Sequence, residues 1–424
     1  MKIKYKKTTL KNGLRIVTIP MTGTETVTVT VMVGVGSRYE SEKEAGISHF
    51  IEHMFFKGTK KRPTTLDISS ELDSIGGEFN AFTSKDKTAY YAKVDAKHLH
   101  RALDVVADMY LHSKLEEKEI DKERGTILQE LNMYEDTPVR SVGETFENLL
   151  YKNNPLGRDI IGYKKTLKSL KRKDFIDYMN RFYMANDTVV CIAGKFDEKK
   201  AIGKISGYFE KMGRGEKPKI VKVDDKQNSP RVKLKYKKTD QSHLVLGVRA
   251  YDQDHKDRFA LALMSIILGG NMSSRLFIEV REKRGLAYYV RSMIESYKDC
   301  GYLAVQAGVE HGNLMLALST ILREFKKIAK EKVSPEELKR AKDFIRGKSI
   351  MGMEASDEVA MFFLEQEVTR GKIMTIEEIF ARFDKVAASD ILRVAKDVFK
   401  KNKLNLAVIG PHKDSKKFEK LLAI

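Results

Sequence analysis

Three residues in one short stretch have the types and the spacing that bind a metal ion. His49, Glu52 and His53 stand in the pentapeptide HFIEH of a chain that has only nine histidines among 424 residues. On a helix, steps of three and four residues return to one face, so two imidazoles and a carboxylate would converge. Such histidine pairs bind zinc, and H-x-x-E-H reverses the common zinc motif H-E-x-x-H. The spacing predicts a metal site, and two ordinary histidines on an amphipathic helix are the alternative.

The element that must present this group is a helix. The stretch KEAGISHFIEHMFFKG is typical of a helix that stops near Gly58, a residue suited to the end of a helix. Phe50, Ile51, Met54 and Phe55 would then be buried on one side. The histidines and the glutamate between them would share the other side.

A catalytic zinc also needs a third protein ligand and an open position for water. The stretch IDKERGTILQELNMYED provides candidates in Glu123 and Glu130, which are two helical turns apart and share one face. Glutamates are abundant in this chain, and on spacing alone an ordinary surface position is the favoured interpretation of both.

Composition excludes several classes of protein. No run of about 18 or more apolar residues predicts a membrane span, and the N-terminus has no apolar segment typical of a signal peptide. Two cysteines do not suggest a disulfide framework, so we expect a cytoplasmic protein. The formal charge of +19 is compatible with nucleic-acid binding, but the basic residues are scattered among acidic ones. We therefore expect a solvated basic surface, with neither nucleic acid nor membrane as a partner.

An internal repeat divides the chain. Lys85-Asp86 recurs as Lys298-Asp299 in a similar order of predicted strands and helices, and each half closes with an apolar strand ending in glycine. This pattern predicts two homologous domains, residues 1–210 and 232–424, joined by a Gly- and Pro-containing linker at 211–231.

Within each half, predicted strands and helices are intermixed. TETVTVTVMVGVGSRYE is β-branched and alternating, which predicts a strand, and GGEFNAFTSKDKTAYYAKVD predicts a hairpin. We expect an α+β fold in which each domain has a largely antiparallel sheet packed with helices.

Taken together, these segments resemble the M16 (pitrilysin-type) metallopeptidases, or inverzincins, which include insulin-degrading enzyme and the mitochondrial processing peptidase. The resemblance rests on HFIEH, on ERGTILQEL further along, and on the flanks GISHFIEHMFFKGTKKR and GGEFNAFTSKDKTAYYAKV. The resemblance covers essentially the whole chain, and the subfamily that the chain resembles most is the processing-peptidase-like one. It implies that subfamily's metallohydrolase fold and a zinc-dependent endopeptidase acting on short or unfolded peptides.

The resemblance also implies individual roles in the first half. His49, His53 and Glu130 resemble the three ligands of one Zn2+ per chain. Glu52 resembles the general base, and Glu123 resembles the carboxylate that orients a zinc-binding histidine. Manganese or cobalt as the native metal remains open.

Substrate binding is implied at two further places. Asn80, Ala81 and Phe82 match the edge strand on which the family pairs an extended peptide. Arg281 and Tyr288 match the pair that reaches the active site from the opposite half and stabilises the charged intermediate. Taken alone, Arg281 is more simply a surface arginine, and Tyr288 is more simply a core aromatic residue.

Assembly and function then follow from the resemblance as expectations. In the family, the zinc motif and the arginine–tyrosine pair meet across two large halves that close on each other like a clamshell. This chain carries both elements but has the length of one half, which predicts a homodimer with composite active sites. A heterodimer with a related subunit remains open. The alternative function is a non-catalytic structural or assembly subunit of the same fold, like the core proteins of respiratory complexes.

Overall fold

The computed structural model describes residues 3–422 of the chain, and eleven strands lie within that range. In chain order they are β1 (Lys6–Thr9), β2 (Arg15–Pro20), β3 (Thr26–Val33), β4 (Glu78–Thr83), β5 (Thr88–Asp95), β6 (Thr188–Gly194), β7 (Arg231–Tyr236), β8 (Ser242–Ala250), β9 (Ala287–Ser296), β10 (Gly301–Val309) and β11 (Leu404–Gly410).

The α-helices of the described residues fall between and after these strands. They are α1 (Ile47–Met54), α2 (Thr65–Asp73), α3 (Leu99–His112), α4 (Glu117–Glu135), α5 (Pro138–Leu150), α6 (Lys164–Ser169), α7 (Arg172–Phe182), α8 (Glu198–Phe209), α9 (Arg258–Gly269), α10 (Leu314–Lys330), α11 (Pro335–Gly352), α12 (Ser356–Arg370), α13 (Ile376–Asp384), α14 (Ala388–Val398) and α15 (Lys416–Leu422). A π-helical turn covers Phe277–Glu282. Among residues 3–422, no helix has the length and the apolar character needed to cross a bilayer.

The strands form two mixed sheets that share the same order over five strands, and the first sheet has β1 as an additional edge strand. The first sheet runs β1-β2-β6-β3-β5-β4, and the second runs β7-β11-β8-β10-β9. In each sheet one neighbouring pair is parallel, β2 with β6 and β11 with β7, and the other pairs are antiparallel. The predicted α+β fold with two similar, largely antiparallel sheets is confirmed.

The strands predicted from sequence lie where the patterns placed them. The β-branched run forms β3, and the predicted hairpin is β4 and β5, joined at residues 84–87. The two apolar segments that close the halves are β6 and β11. Both are buried along their whole length, since each has a hydrogen-bonded neighbour strand on either side and helices packed on the sheet.

The chain folds into two compact units that exchange segments between the halves of the sequence. The first unit contains residues 1–132, 158–221 and 348–377, and the second contains residues 133–157, 222–347 and 378–424. These units differ from a single division at 211–231, because α12 packs on β3 and β6 whereas α5 packs on β8 and β11. The predicted domain boundaries describe the duplicated sequence and stay a prediction.

Helix α12 buries an apolar face against the first sheet. Phe363 and Leu364 are at most 1% exposed and belong to one core cluster with Val17, Met32 and Cys191. Because β2, β3 and β6 supply those three partners, the first sheet depends for its core on a helix encoded in the second half of the chain.

Replacing Phe363 by alanine should therefore destabilise the first sheet. Removing a buried phenylalanine costs about 3–5 kcal/mol through lost burial and the cavity left behind. Hydrogen exchange should accelerate in β3 and β6 while β8 keeps its protection. The control is Glu358→Ala on an exposed position of α12, which should leave exchange unchanged. Faster hydrogen exchange in β8, with the exchange rate of β3 unchanged, would contradict this packing.

Candidate metal centre

Helix α1 is fixed at its start by a glycine and a buried carboxylate. Gly46 has φ +98°, and a Cβ there would lie 2.6 Å from the carbonyl oxygen of Ile161, so only glycine fits. The two carboxyl oxygens of Glu40 accept hydrogen bonds from the backbone N–H groups of Gly46 and Ser48, at 2.8 and 2.9 Å. An acceptor at this place satisfies N–H groups that a helix leaves without internal partners. The direction of α1 is therefore set before its functional residues begin.

The apolar side of α1 packs in the core, which leaves the side with the histidines outside the core. Phe50, Ile51, Met54 and Phe55 are at most 1% exposed, as the sequence predicted. The ring of Phe50 packs edge-on against Phe175, with centroids 4.8 Å apart. The α-helix is shorter than predicted, since it ends at Met54 and a hydrogen-bonded turn leads on to Gly58.

Helix α4 supplies the carboxylates that face α1. Ile120, Ile127 and Leu131 bury its apolar side, and Glu123 is also buried, at 4% exposure. Glu130 lies two turns further along the same helix and is partly exposed. A buried glutamate among isoleucines is unusual unless a partner compensates its charge, which indicates a specific role for Glu123.

Three potential ligand atoms converge between these helices. Glu130 Oε2 lies 3.7 Å from His49 Nε2 and 3.5 Å from His53 Nε2, and one ligand atom from each residue lies within 4.8 Å of the others. In tetrahedral zinc sites with bonds of about 2.0–2.2 Å, neighbouring ligand atoms are roughly 3.4 Å apart. The donor set and the spacing therefore fit a zinc ion with one position left for water.

The remaining nitrogen of His53 has its own partner. Its Nδ1–H donates to Glu123 Oε1 at 2.8 Å, and Lys57 Nζ lies 2.6 Å from Glu123 Oε2. Burial alone would lower the pKa of His53, but the bond to Glu123 raises it above the usual value. Burial would raise the pKa of Glu123, but the bonds from His53 and Lys57 lower it. The geometry leaves His53 Nε2 directed towards the other two ligand atoms.

Glu52 is on the same face but is not one of these three ligands. Its Oε2 atom is buried and has no hydrogen-bond partner among the described residues. Burial raises the pKa of Glu52, while the adjacent Thr83 and His53 act in the opposite direction. A carboxyl group with an elevated pKa beside a metal position is suited to accept and return a proton.

Strand β4 ends beside this site. It is the last strand of the first sheet, hydrogen-bonded to β5 alone among the described strands, and α1 packs against it. Asn80, Ala81 and Phe82 form its middle, paired with Tyr91, Tyr90 and Ala89 of β5. Asn80 is exposed, and its Oδ1 accepts the N–H of Ala81. An edge of this kind has backbone groups available to pair with an extended peptide.

Arg281 and Tyr288 belong to the second unit and lie close to each other. The guanidinium carbon of Arg281 is 4.9 Å from the ring centroid of Phe277 and 5.8 Å from that of Tyr288. Arg281 is part of the π-helical turn, a rare conformation that often occurs at functional sites. Tyr288 is 77% exposed, so the alternative of a core aromatic residue is wrong.

Sequence reasoning missed two residues of this arrangement, Glu40 and Lys57. Both are charged residues of common type, and no spacing rule separates them from surface positions. Only the folded chain shows that Glu40 caps α1 and that Lys57 contacts Glu123.

An α+β fold in which two histidines of one helix and a glutamate of the facing helix bring their ligand atoms together is suited to a metallopeptidase. Residues 15–164 match the model of the insulinase family, peptidase family M16, and residues 169–344 match the model of the M16 inactive domain. The chain belongs to the M16 peptidase family.

Similar proteins extend over nearly the whole chain. An uncharacterized zinc protease of Streptomyces coelicolor is 36% identical, with 96% of this chain and 90% of the relative covered. One of Bacillus subtilis is 35% identical, with 96% and 98% covered. The crystal structure of a protease from Helicobacter pylori matches with TM-score 0.90 and 27% identity over 96% of this chain and all of that one. The first two relatives are named as zinc proteases, and the third is named as a protease.

Glu40 generates a prediction about stability and pH. Burial raises its pKa to about 7 from 4.5, although the bonds from Gly46 and Ser48 oppose the shift. As pH rises from 4.5 to 7, the unfolded chain loses this proton first, so the folded state loses up to about 3 kcal/mol of stability in that window. In Glu40→Gln the amide cannot titrate, and this contribution should be absent.

The measurement is the melting temperature of metal-free wild type and Glu40→Gln between pH 4.5 and 7.5. The stability of the variant relative to the wild type should rise between pH 4.5 and 7, because only the wild type loses the stability linked to the Glu40 proton over that range. Glu42→Gln, an exposed glutamate nearby, should follow the wild type throughout. Parallel profiles for wild type and Glu40→Gln would contradict the assignment.

Proposed function

We propose that the chain is a zinc-dependent metalloendopeptidase that hydrolyses short or unfolded peptides. The observation that carries this proposal is the convergence of His49, His53 and Glu130, with the partly buried carboxyl of Glu52 beside them. The zinc-protease relatives support the same conclusion. Two imidazoles and one carboxylate favour zinc over magnesium or calcium, and we propose one Zn2+ per chain.

Each residue of the proposed site would have a separate role in peptide hydrolysis. A bound zinc would supply an acidified water and an electrophilic centre for the scissile carbonyl. Glu52 would accept a proton from the attacking water and return it to the leaving amine. Glu123 would hold His53 in orientation through the bond to Nδ1. The substrate would extend β4 as an added strand along Asn80 to Phe82.

Arg281 and Tyr288 would act on the substrate from a second copy of the chain. A guanidinium and a phenol both donate hydrogen bonds, and both suit a carbonyl oxygen that becomes negatively charged. Their place in the second compact unit, with the candidate ligands in the first, supports a homodimer in which each site is composite. Cytoplasmic location remains our expectation.

A non-catalytic subunit of the same fold is the second candidate, and the site argues against it. A subunit that only assembles has no need of three ligand atoms at zinc spacing, and no need of a buried carboxylate beside them. The matched inactive-domain model covers residues 169–344, which contain none of the proposed ligands.

Replacing Glu52 by glutamine should abolish hydrolysis and leave zinc bound. Loss of a general base lowers kcat by roughly 10²–10⁴-fold, whereas the three ligand atoms are untouched. The measurements are cleavage of a quenched fluorescent peptide and zinc content per chain. A chelator should stop wild-type cleavage, and added zinc should restore it.

The matched control is Glu117→Gln, an exposed glutamate on α4, which should keep full activity. Undiminished cleavage by Glu52→Gln would refute the role of Glu52. A wild-type chain that binds no zinc and cleaves nothing would favour the structural subunit.

The composite site predicts that two inactive variants restore activity when mixed. His53→Ala removes a ligand in the first unit, and Arg281→Ala removes the proposed donor in the second. After exchange of subunits, half of the dimers carry one intact site of two, so about a quarter of wild-type activity should return. Each variant alone is the control. Failure to recover activity, despite mixed dimers detected by tagged chains, would contradict composite sites.

A further inference from the structure

We propose that Lys57 is a positioning residue of the metal centre: it holds the Glu123 carboxylate so that the other carboxylate oxygen fixes the ring of His53. This inference rests on the proposed zinc site and extends it by one residue. Lys57 is not a ligand, and its effect on the metal would pass through Glu123 and His53 in turn.

The contacts form a continuous chain from Lys57 to the ligand atoms. Lys57 Nζ is 2.6 Å from Glu123 Oε2, His53 Nδ1 is 2.8 Å from Glu123 Oε1, and His53 Nε2 is 3.5 Å from Glu130 Oε2. Each carboxylate oxygen of Glu123 thus has a different partner. A single hydrogen bond would leave the carboxylate free to turn about its terminal torsion, which is intrinsically soft in glutamate. Two bonds to two oxygens define its plane.

Burial gives this pair more weight than an ordinary surface ion pair. The side chain of Glu123 is 6% exposed and that of Lys57 is 22% exposed. Exposed ion pairs contribute little, but removal of one partner from a buried pair leaves a charge without compensation. Without Lys57, the carboxylate would need another cation or water, and reaching either would move it away from His53.

The local fold places Lys57 within reach of Glu123. After α1, the N–H groups of Phe56 and Lys57 donate to the carbonyls of His53 and Met54, which continues the helical direction for one turn. The chain must then reverse at Gly58, which has φ +117° and where a Cβ would lie 2.3 Å from the carbonyl oxygen of Pro63. Lys57 therefore lies one helical turn after His53, on the side that α4 faces.

Neighbouring lysines do not share this arrangement. Lys61 pairs with Asp104 at an exposed position, in a separate network that includes Arg62. Lys60 is exposed. The segment thus provides a matched control, a lysine of the same charge three residues away.

The test compares Lys57→Met, Lys57→Arg and Lys60→Met with the wild type. Methionine keeps most of the aliphatic stem and removes the charge. Zinc affinity is measured by competition with a chromophoric chelator, and kcat and KM are measured at saturating zinc. We expect zinc affinity to fall roughly tenfold in Lys57→Met, the lower end of the range for partners of metal ligands. kcat should fall while KM is unchanged, and Lys57→Arg should recover most of the affinity.

Melting of the metal-free proteins separates positioning from folding. Lys57→Met should melt within a few degrees of Lys60→Met in the absence of zinc and gain less stability when zinc is added. Wild-type zinc affinity in Lys57→Met, or an affinity loss matched by a collapse of the metal-free fold and shared by Lys57→Arg, would overturn the inference. A wild-type chain without zinc affinity would refute the proposed function instead.

Discussion

The hydrogen bond from His53 Nδ1 to Glu123 is the interaction on which the site depends. It joins α1 to α4 across 70 positions of sequence and sets the orientation of the ring that bears a ligand atom. It also explains why a carboxylate is buried among the isoleucines of α4. If this contact were absent, Glu130 would still lie on α4, but the distance and angle between the two helices would lose their shortest polar constraint. The ligand spacing of 3.5 Å is therefore a property of the helix pair.

Helix α1 carries most of the proposed chemistry, although it has only eight residues. An isolated helix of that length is unstable in water, so its geometry must come from the rest of the first unit. Glu40 and Gly46 fix its start, the buried face anchors its middle, and the reversal at Gly58 follows its end. The face that carries the proposed site is thus held in place because α1 is fixed at both ends and along its buried side. Such support is what a metal site requires, since small displacements of ligands weaken metal binding.

Much of this arrangement could be predicted from sequence, and the failures have a common physical cause. Alternation in β3 and the HFIEH spacing are local patterns, so the strand, the helix and the grouping of its side chains were predictable. Which sheet a helix covers is not a local property: an apolar face such as that of α12 fits either sheet, and its packing on the first one appears only in the folded chain. The roles of Glu40 and Lys57 could not be predicted for the same reason, because their partners are distant in sequence or lie on another helix.

The two units differ in the segment that is inserted between corresponding strands of their sheets. Between β3 and β4 the first unit inserts α1 and α2, while at the same place in order, between β8 and β9, the second unit inserts α9 and the π-helical turn. Helix α9 is predominantly apolar and contains neither histidine nor glutamate, so it contributes to the core alone. The turn that follows it carries Arg281, near the exposed Tyr288 of β9. Because the sheets share their order over five strands, this inserted segment is one difference between the units: it carries the candidate ligands His49 and His53 in the first unit and Arg281 in the second. The fold therefore constrains where such groups appear, and the side chains on the insert determine what they do.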